Sequence, residues 1–399
     1  MAGKSVYGVG LDAGSRTTRM VITAVEQGRV RLLGIGASEA QGWVKGRIAD
    51  SKLVSESIRM ALREAEAAAQ VSVEQAVVGI GGKAVRGANT RGILELGYVR
   101  EIDQRDVNRV VNRATRVQLS EDRMILQLFP QDFVVDDHPG HRDPRGMVAS
   151  RLEVNVHLIT ASSQEHYALV GAVNQAHLSV EESVFEGLAA AYAAVQPEER
   201  RQGIAVIDVG AESTQLIVFY GETMQLVSGI PVCGDHFTKD LAQVLCLSFE
   251  DAELVKREYG GALADGCPDN VMVEVPMPDD REQRHVQRKL LNQILEARSA
   301  ELFRLVRAEL ARVGMDHALL GGVFLTGAAA RLPDLCDVAE RVLQCPARFG
   351  LAVGIRDWPE NERDPEWAAA AGLALYSAKL KMQAAHERES AGWLGRVLR

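Results

Sequence analysis

Three short stretches restrict what this 399-residue chain can fold into: GLDAGSRTTR at Gly10 to Arg19, AVIDVGAEST at Ala205 to Thr214, and GVFLTGAAARL at Gly322 to Leu332. Each is an apolar or β-branched run that breaks at glycine, and in the first two an aspartate, Asp12 or Asp208, stands before the break. That is the pattern of a strand ending in a tight turn. An anion can approach backbone N–H groups closely only where side chains are small. Gly14, Ser15, Arg16 and Arg19 in the first stretch, and Gly210, Ser213 and Thr214 in the second, are therefore candidate phosphate contacts. Two such strand-turn-strand hairpins facing one another across a cleft would set Asp12 and Asp208 to hold a hydrated Mg²⁺ beneath the phosphates. The third stretch, a strand followed by Thr326 and Gly327 to Ala330, would open a helix against a nucleoside, with Gly327 and Ala328 in contact. A glycine after a strand is by itself a common turn. The order and spacing of all three point to a split nucleotide site on a duplicated fold.

The length predicts two or more domains. A formal charge of −9 argues against a nucleic-acid binder, whose phosphate contacts need a clustered positive field. The five cysteines, Cys233, Cys246, Cys267, Cys336 and Cys345, are odd in number and never spaced CxxC, so they read as reduced thiols. No uninterrupted apolar run reaches the roughly 18 to 20 residues that span a bilayer, and MAGKSVYG has no signal-peptide core, so the expectation is a cytosolic protein that is neither exported nor transmembrane.

Three strands up to Ala37, the loop QGWVKGRIAD, a helix from Leu53 to Ala69 and a strand to Ile80 make the first part of a first lobe, residues 1–80. Residues 81–160 change character. They read as a compact insertion with strand NTRGILELG, a helix at Asp103 to Val117, and strands MILQLFPQDFVV and RLEVNVHLIT, the last two joined by an exposed loop DDHPGHRDPRG. His138 and His141 among Asp136, Asp137 and Asp143 suit a solvated turn better than zinc, whose ligands usually sit on rigid elements. Residues 161–200 return to the first lobe through a helix at Gln164 to His177 and an alanine-rich helix SVFEGLAAAYAAV, with a linker around Gln196 to Gln202. The pattern then repeats as a second lobe: 201–235 and 315–380 form its core, and 236–314 a subdomain with helices at Gly234 to Leu245, SFEDAELVKREYG, and Arg281 to Val313. An apolar stripe from Leu290 to Leu310 turns the long helix inward. In the tail, 381–399, Trp393, Leu394, Val397 and Leu398 share a helical face beside Arg396 and Arg399, which reads as an interfacial membrane anchor. A terminal helix packed on its own domain would show the same face.

The chain resembles the actin-like ATPases, and among them the bacterial FtsA family. The resemblance covers nearly all 399 residues. Beyond the three stretches above, it rests on VVGIGGKAVRG at Val77, PQDFVVDD at Pro130, LEVNVHLITA at Leu152, VFEGLAAAYA at Val184 and the basic amphipathic C-terminus. It implies an α/β fold of two duplicated, RNase H-like lobes, an α+β subdomain inserted in the first lobe, and a C-terminal amphipathic tail. It implies ATP or ADP bound with Mg, and Glu186 orienting water near the γ-phosphate, although an acid in a first helical turn also complements the helix dipole. Glu253 and Lys256, one helical turn apart, look like the pair through which actin-like proteins hold the ribose; a surface ion pair has the same spacing. Arg298 and Glu301 fall on the surface that in this family receives the C-terminal tail of FtsZ, or else form an ordinary exposed pair.

By the same resemblance the protein is a peripheral tether on the cytoplasmic face of the inner membrane at the division site. It forms filaments, anchors the FtsZ ring and meets later division proteins through the insertion. Departures bear on the nucleotide. Ala211 and Glu212 stand where the second turn usually has glycines, Gln215 replaces an acid, Ala328 replaces a glycine, and Arg19 stands where lysine is frequent. A carboxylate at Glu212 would repel phosphate, so the chain is expected to bind nucleotide with weak or absent hydrolysis. Two other readings are a small-molecule kinase or ATPase of the same superfold, which predicts an intact phosphate cradle, and a scaffold resembling PilM of type IV pilus or secretion systems, which needs no lipid-binding tail.

Overall fold

The structure, a computed structural model, describes residues 6–221, 223–276 and 283–397, with the side chains of 283 and 385–397 outside the description. A β-meander of β1 (Val6–Ala13), β2 (Thr17–Glu26) and β3 (Arg29–Glu39) opens the chain, followed by a small hairpin of β4 (Trp43–Val44) and β5 (Arg47–Ile48). Helix α1 (Ser51–Ala69) starts where the Asp50 side chain accepts from the Lys52 and Leu53 amides, and its Val54, Ile58, Ala61 and Ala65 face inward. Strand β6 (Gln75–Ile80) lies parallel to β1.

The chain then leaves the lobe. Strand β7 (Arg86–Glu101), helix α2 (Gln104–Ala114), β8 (Arg123–Val135), β9 (His138–His141) and β10 (Val148–Ser162) form an antiparallel sheet in the order β7-β10-β8-β9 with a core of its own around Leu94, Val110, Leu152 and Val154. The DDHPGHRDPRG segment is thus a hairpin rather than pure loop: β9 pairs with β8, Asp136 accepts from the Ser150 and Arg151 amides, and Asp143 grips Arg145. These bonds engage the two aspartates within the turn itself.

Helix α3 (Ser163–Gln175) leads back to β11 (Ser179–Phe185), so the first residues of SVFEGLAAAYAAV are strand, and α4 (Glu186–Ala194) begins at Glu186. The expected linker carries one short helix, α5 (Pro197–Arg201). Strands β12 (Ile204–Val209), β13 (Thr214–Tyr220) and β14 (Thr223–Ile230) repeat the meander. After them come α6 (Gly234–Leu245), α7 (Phe249–Tyr259), the hairpin of β15 (Met272–Pro276) and β16 (Gln283–Gln287), and α8 (Arg288–Arg312). The long helix therefore starts at Arg288, because residues 283–287 are taken by pairing with β15. Strand β17 (Val323–Thr326) is followed by a 3-10 turn at Ala328–Arg331 in place of the expected α-helix, then by α9 (Leu335–Leu343) and β18 (Ala347–Phe349).

The duplication is explicit in the sheets. Strand order β3-β2-β1-β6-β11 in the first lobe matches β14-β13-β12-β17-β18 in the second, with the same senses of pairing. The last segment differs from the sequence expectation. Strand β19 (Ile355–Arg356) pairs with β3, and α10 (Ala368–Val397) packs on β1 and α4, so residues beyond about 350 rejoin the first lobe. Glycine allows this. A Cβ on Gly10 would lie 2.3 Å from the Ala374 nitrogen, and one on Gly372 1.8 Å from the Ala189 carbonyl oxygen, so α10 lies flush on strand and helix alike. Among the described residues no helix is long and apolar enough to cross a membrane.

Candidate functional site

The two meanders point their first turns at each other. Between the lobes lies a cleft of about 350 Å³ lined by Asp12 to Thr17, Gly210 to Ser213, Gly327 and Ala328, together with the β4–β5 hairpin, Gly81 to Lys83, Glu186 and Glu366. In the second turn the Gly210 amide donates to the Ser213 carbonyl at 2.9 Å; in the first a Cβ on Gly14 would lie 2.8 Å from the Thr17 carbonyl oxygen. Both turns are therefore closed tightly on small residues. Gly327 holds φ at +87°, and a Cβ there would press on the Val209 carbonyl and the Asp208 carboxylate.

Acids line the floor of the cleft. Burial pushes the Asp12 carboxyl up to about 6, opposed by Arg19 and reinforced by Asp208 and Glu366. Burial also raises Asp208, partly offset by the Thr326 hydroxyl, which donates to its Oδ1 at 3.0 Å, and by Arg19. Glu186, the first residue of α4, fills the space left by the missing side chains of Gly79 and Gly81, and burial followed by Asp12 and Asp208 holds it well above the usual carboxylate range. Buried Arg19 forms an ion pair with Glu366, and its guanidinium lies 5.7 Å from the Trp367 ring centre. Desolvated carboxylates facing one another are costly unless a cation joins them.

Equivalent turn positions make long-range contacts, three of the four of them to the opposite lobe. Four residues after the aspartates, Arg16 donates to both Asp235 oxygens at 3.2 and 3.3 Å and stacks 4.7 Å over Phe249, while Glu212 comes up against Gly46 in the β4–β5 hairpin. Three residues further on, Arg19 meets Glu366 and Gln215 donates to the Gly82 carbonyl at 2.7 Å. The cleft is thus crossed by the protein's own side chains. Helix α6 buttresses the second turn: the Gly234 and Asp235 amides donate to the Gly210 and Ala211 carbonyls at 2.9 and 2.7 Å.

The structure brings Asp12, Gly14, Ser15, Arg16, Arg19, Glu186, Asp208, Gly210, Ser213, Gly327 and Ala328 together. Thr214 is a correction: it lies opposite Val209 in the hairpin and its hydroxyl is buried without a partner rather than facing the cleft, as does Thr18 at the equivalent place. Glu253 and Lys256 pair at 2.6 Å and share the Thr238 hydroxyl, one layer behind the lining residues. Arg298 holds Asp240 of α6 at 2.6 and 2.7 Å as well as Glu301, so it is braced and half-buried rather than loosely solvated. Trp393, Leu394, Arg396, Val397, Leu398 and Arg399 lie outside the described side chains; the helical backbone itself reaches Val397. Sequence reading missed Glu366, Asp235, Lys83 and the β4–β5 hairpin as parts of the site. No local signal marks Glu366, which meets Arg19 from 347 residues away.

Comparison with known proteins follows this architecture. A family description, "Cell division protein FtsA", matches residues 205–372, and another, "SHS2 domain inserted in FTSA", matches 82–160, the separate antiparallel sheet. Cell division protein FtsA of Borreliella burgdorferi is 33% identical over 371 residues, covering 92% of this chain and 90% of that protein. The chain belongs to the FtsA family of cell division proteins. The FtsA of Pseudomonas aeruginosa is 31% identical, over 92% of this chain and 88% of its own length. Among solved structures, the PilM–PilN type IV pilus biogenesis complex aligns at TM-score 0.68 with 18% identity, covering 93% of this chain and 98% of that one. MreB5 of Spiroplasma citri bound to ADP aligns at 0.57 with 13% identity, over 95% and 98%. These two show the fold, which is actin-like.

The FtsA-family cleft fits a magnesium nucleotide in its glycine turns and its desolvated carboxylates, which a divalent cation would let ionise. It fits less well at Glu212, whose Oε2 is buried without a hydrogen-bond partner inside the cleft.

Proposed function

We propose that this FtsA-family protein is a nucleotide-binding, self-assembling adaptor that attaches the FtsZ ring to the cytoplasmic face of the cell membrane. The observation that carries the reading is the match along 92% of the chain, inserted subdomain included. In the cleft, Asp12 and Asp208 hold Mg²⁺ through water, while the Gly14 to Arg16 and Gly210 to Ser213 segments and Arg19 position phosphates. Gly327 and Ala328 border the nucleoside, with Glu253 and Lys256 supporting from behind. The Mg²⁺ ion would supply the positive charge that the acidic floor lacks. Glu186, whose carboxyl burial raises, would be favoured to ionise beside such a cation and could then orient a water; the carboxylate of Glu212 disfavours turnover, so nucleotide serves as a conformational ligand.

The FtsZ tail docks at the second-lobe surface that carries Arg298 and Glu301, and later division proteins meet the inserted subdomain. The C-terminal residues Trp393, Leu394, Val397 and Leu398, with Arg396 and Arg399, enter the lipid interface. At about 25 cal/mol per Å² four apolar side chains give only a few kcal/mol before ordering costs, so stable attachment needs several tails joined in one oligomer.

Co-sedimentation with anionic liposomes in the presence of FtsZ, comparing the full chain with one ending at Ala391, tests this. The full chain is expected to bring FtsZ to lipid and the truncated one to leave it in solution. Failure of the full chain to recruit FtsZ at any nucleotide state refutes the tether and favours a pilus-type scaffold.

A further inference from the structure

The nucleoside end of the cleft is marked by Gly327 and Ala328, and a phosphate chain running from there toward the two facing turns puts its terminal phosphate deepest between them. That is where this chain differs from a phosphate cradle. Ala211 adds a methyl group to the second turn. Glu212 projects from it across the cleft, so that a Cβ on Gly46 would lie 3.3 Å from its Oε2, and no described side chain hydrogen-bonds to that buried oxygen. At the equivalent position of the first turn Arg16 has its charge committed to Asp235. The gap between the turns therefore holds an unpaired anion on one side and a cation already paired on the other. Lys45 and Lys83 also line the cleft, from the β4–β5 hairpin and just after the Gly81–Gly82 turn.

We propose that Glu212 is a specificity residue that occupies the terminal-phosphate position and sets the cleft for a nucleoside diphosphate over a triphosphate. This rests on the nucleotide reading of the cleft given above. The diphosphate ends short of Glu212 and keeps the glycine turn and the Mg²⁺ carboxylates; the triphosphate must place a charged oxygen against the carboxylate, where like charges repel. The adjacent Asp235 to Arg16 ion pair, which a terminal phosphate would compete with, acts in the same direction.

The test is equilibrium titration of the full chain with the fluorescent analogues MANT-ADP and MANT-ATP in excess Mg²⁺, on the parent protein and on Glu212→Gln, which keeps shape and removes charge. Glu212→Gly serves as a second variant, with unchanged thermal unfolding of the ligand-free proteins confirming that both fold. The parent is expected to bind MANT-ADP at least about tenfold more tightly than MANT-ATP, and Glu212→Gln to bring the two within about threefold, chiefly by tightening MANT-ATP. An ADP-to-ATP ratio that is unchanged by Glu212→Gln overturns the proposal. So does Mg²⁺-dependent loss of MANT-ATP binding in the variant, which would make Glu212 a cation ligand. Absence of saturable binding of either analogue to parent and variants alike sinks the nucleotide reading itself, an outcome distinct from an unchanged ratio.

Discussion

Asp12 is 8% exposed, accepts no hydrogen bond among the described residues, and sits near Asp208 and Glu366 with only Arg19 in opposition. Its carboxyl rises from 3.8 to about 6 in the folded protein, chiefly through burial. The folded chain therefore holds this proton more tightly than the unfolded chain does. Stability is unaffected below about pH 4, falls as pH rises from 3.8 to 6, and stays reduced above. With each pH unit in that window worth about 1.4 kcal/mol, the loss at pH 7.5 is about 3 kcal/mol, and at pH 5 about half of that. Asp12→Asn removes the ionisation and leaves the Arg19 to Glu366 pair in place. At about 2.1 cal/mol/K of unfolding entropy per residue over 399 residues, the variant should melt about 4 °C higher than the parent at pH 7.5, and about 2 °C higher at pH 5. Differential scanning fluorimetry without nucleotide reads both. A variant that melts at or below the parent at pH 7.5, or a gap that grows toward acid, refutes the claim that the floor of this cleft is desolvated. If Asp12 helps to hold Mg²⁺ as proposed, the same substitution should also abolish any extra thermal protection given by Mg–nucleotide.

Two further outcomes follow from the geometry. Gly372→Ala, though it improves helix propensity by about 1 kcal/mol, should lower stability by about 1–3 kcal/mol, because the added methyl meets the Ala189 carbonyl; an unchanged or raised melting temperature would contradict the flush packing of α10. His157 is buried with Nδ1 2.6 Å from the Asn89 side-chain oxygen and Nε2 unpartnered, and burial holds it neutral down to about 4. The unfolded chain takes up that proton near 6.5 and the folded one does not, so stability should fall between pH 6.5 and 4. Urea midpoints measured across that range should lose this slope in His157→Gln.

Local features of the site were legible because each is written in a few adjacent residues. An apolar run, an acid and a glycine define the end of β1 and of β12, and the equal offsets in the two turns make the duplication readable without coordinates. The inserted sheet was readable for the same reason, since its strands alternate around long apolar runs. Pairings between distant segments were not. Asp235 and Glu366 enter the site from 219 and 347 residues beyond the arginines they meet, and nothing near them in sequence distinguishes them from surface acids. The alanine-rich start of α10 is apolar on every side, so its pattern names no partner; only the alternate glycines of β1, Gly8 and Gly10, hint that a backbone must lie close. Residues 283–287 carry a polar sequence that runs on into the helix pattern, and only pairing with β15 makes them strand.

Helix α10 starts one residue past Trp367, beside the acid that grips Arg19, and its backbone continues without proline for 30 residues, roughly 45 Å. Its first turns are wedged between β1 and α4, the two elements that carry Asp12 and Glu186. An object of that length held at one end behaves as a pointer. Lys381 still reaches the Tyr7 carbonyl and Glu181, so about 16 residues, roughly 24 Å, project beyond the cleft wall, and a tilt of about 5° there moves the far end of the helix by roughly 2 Å without altering the fold.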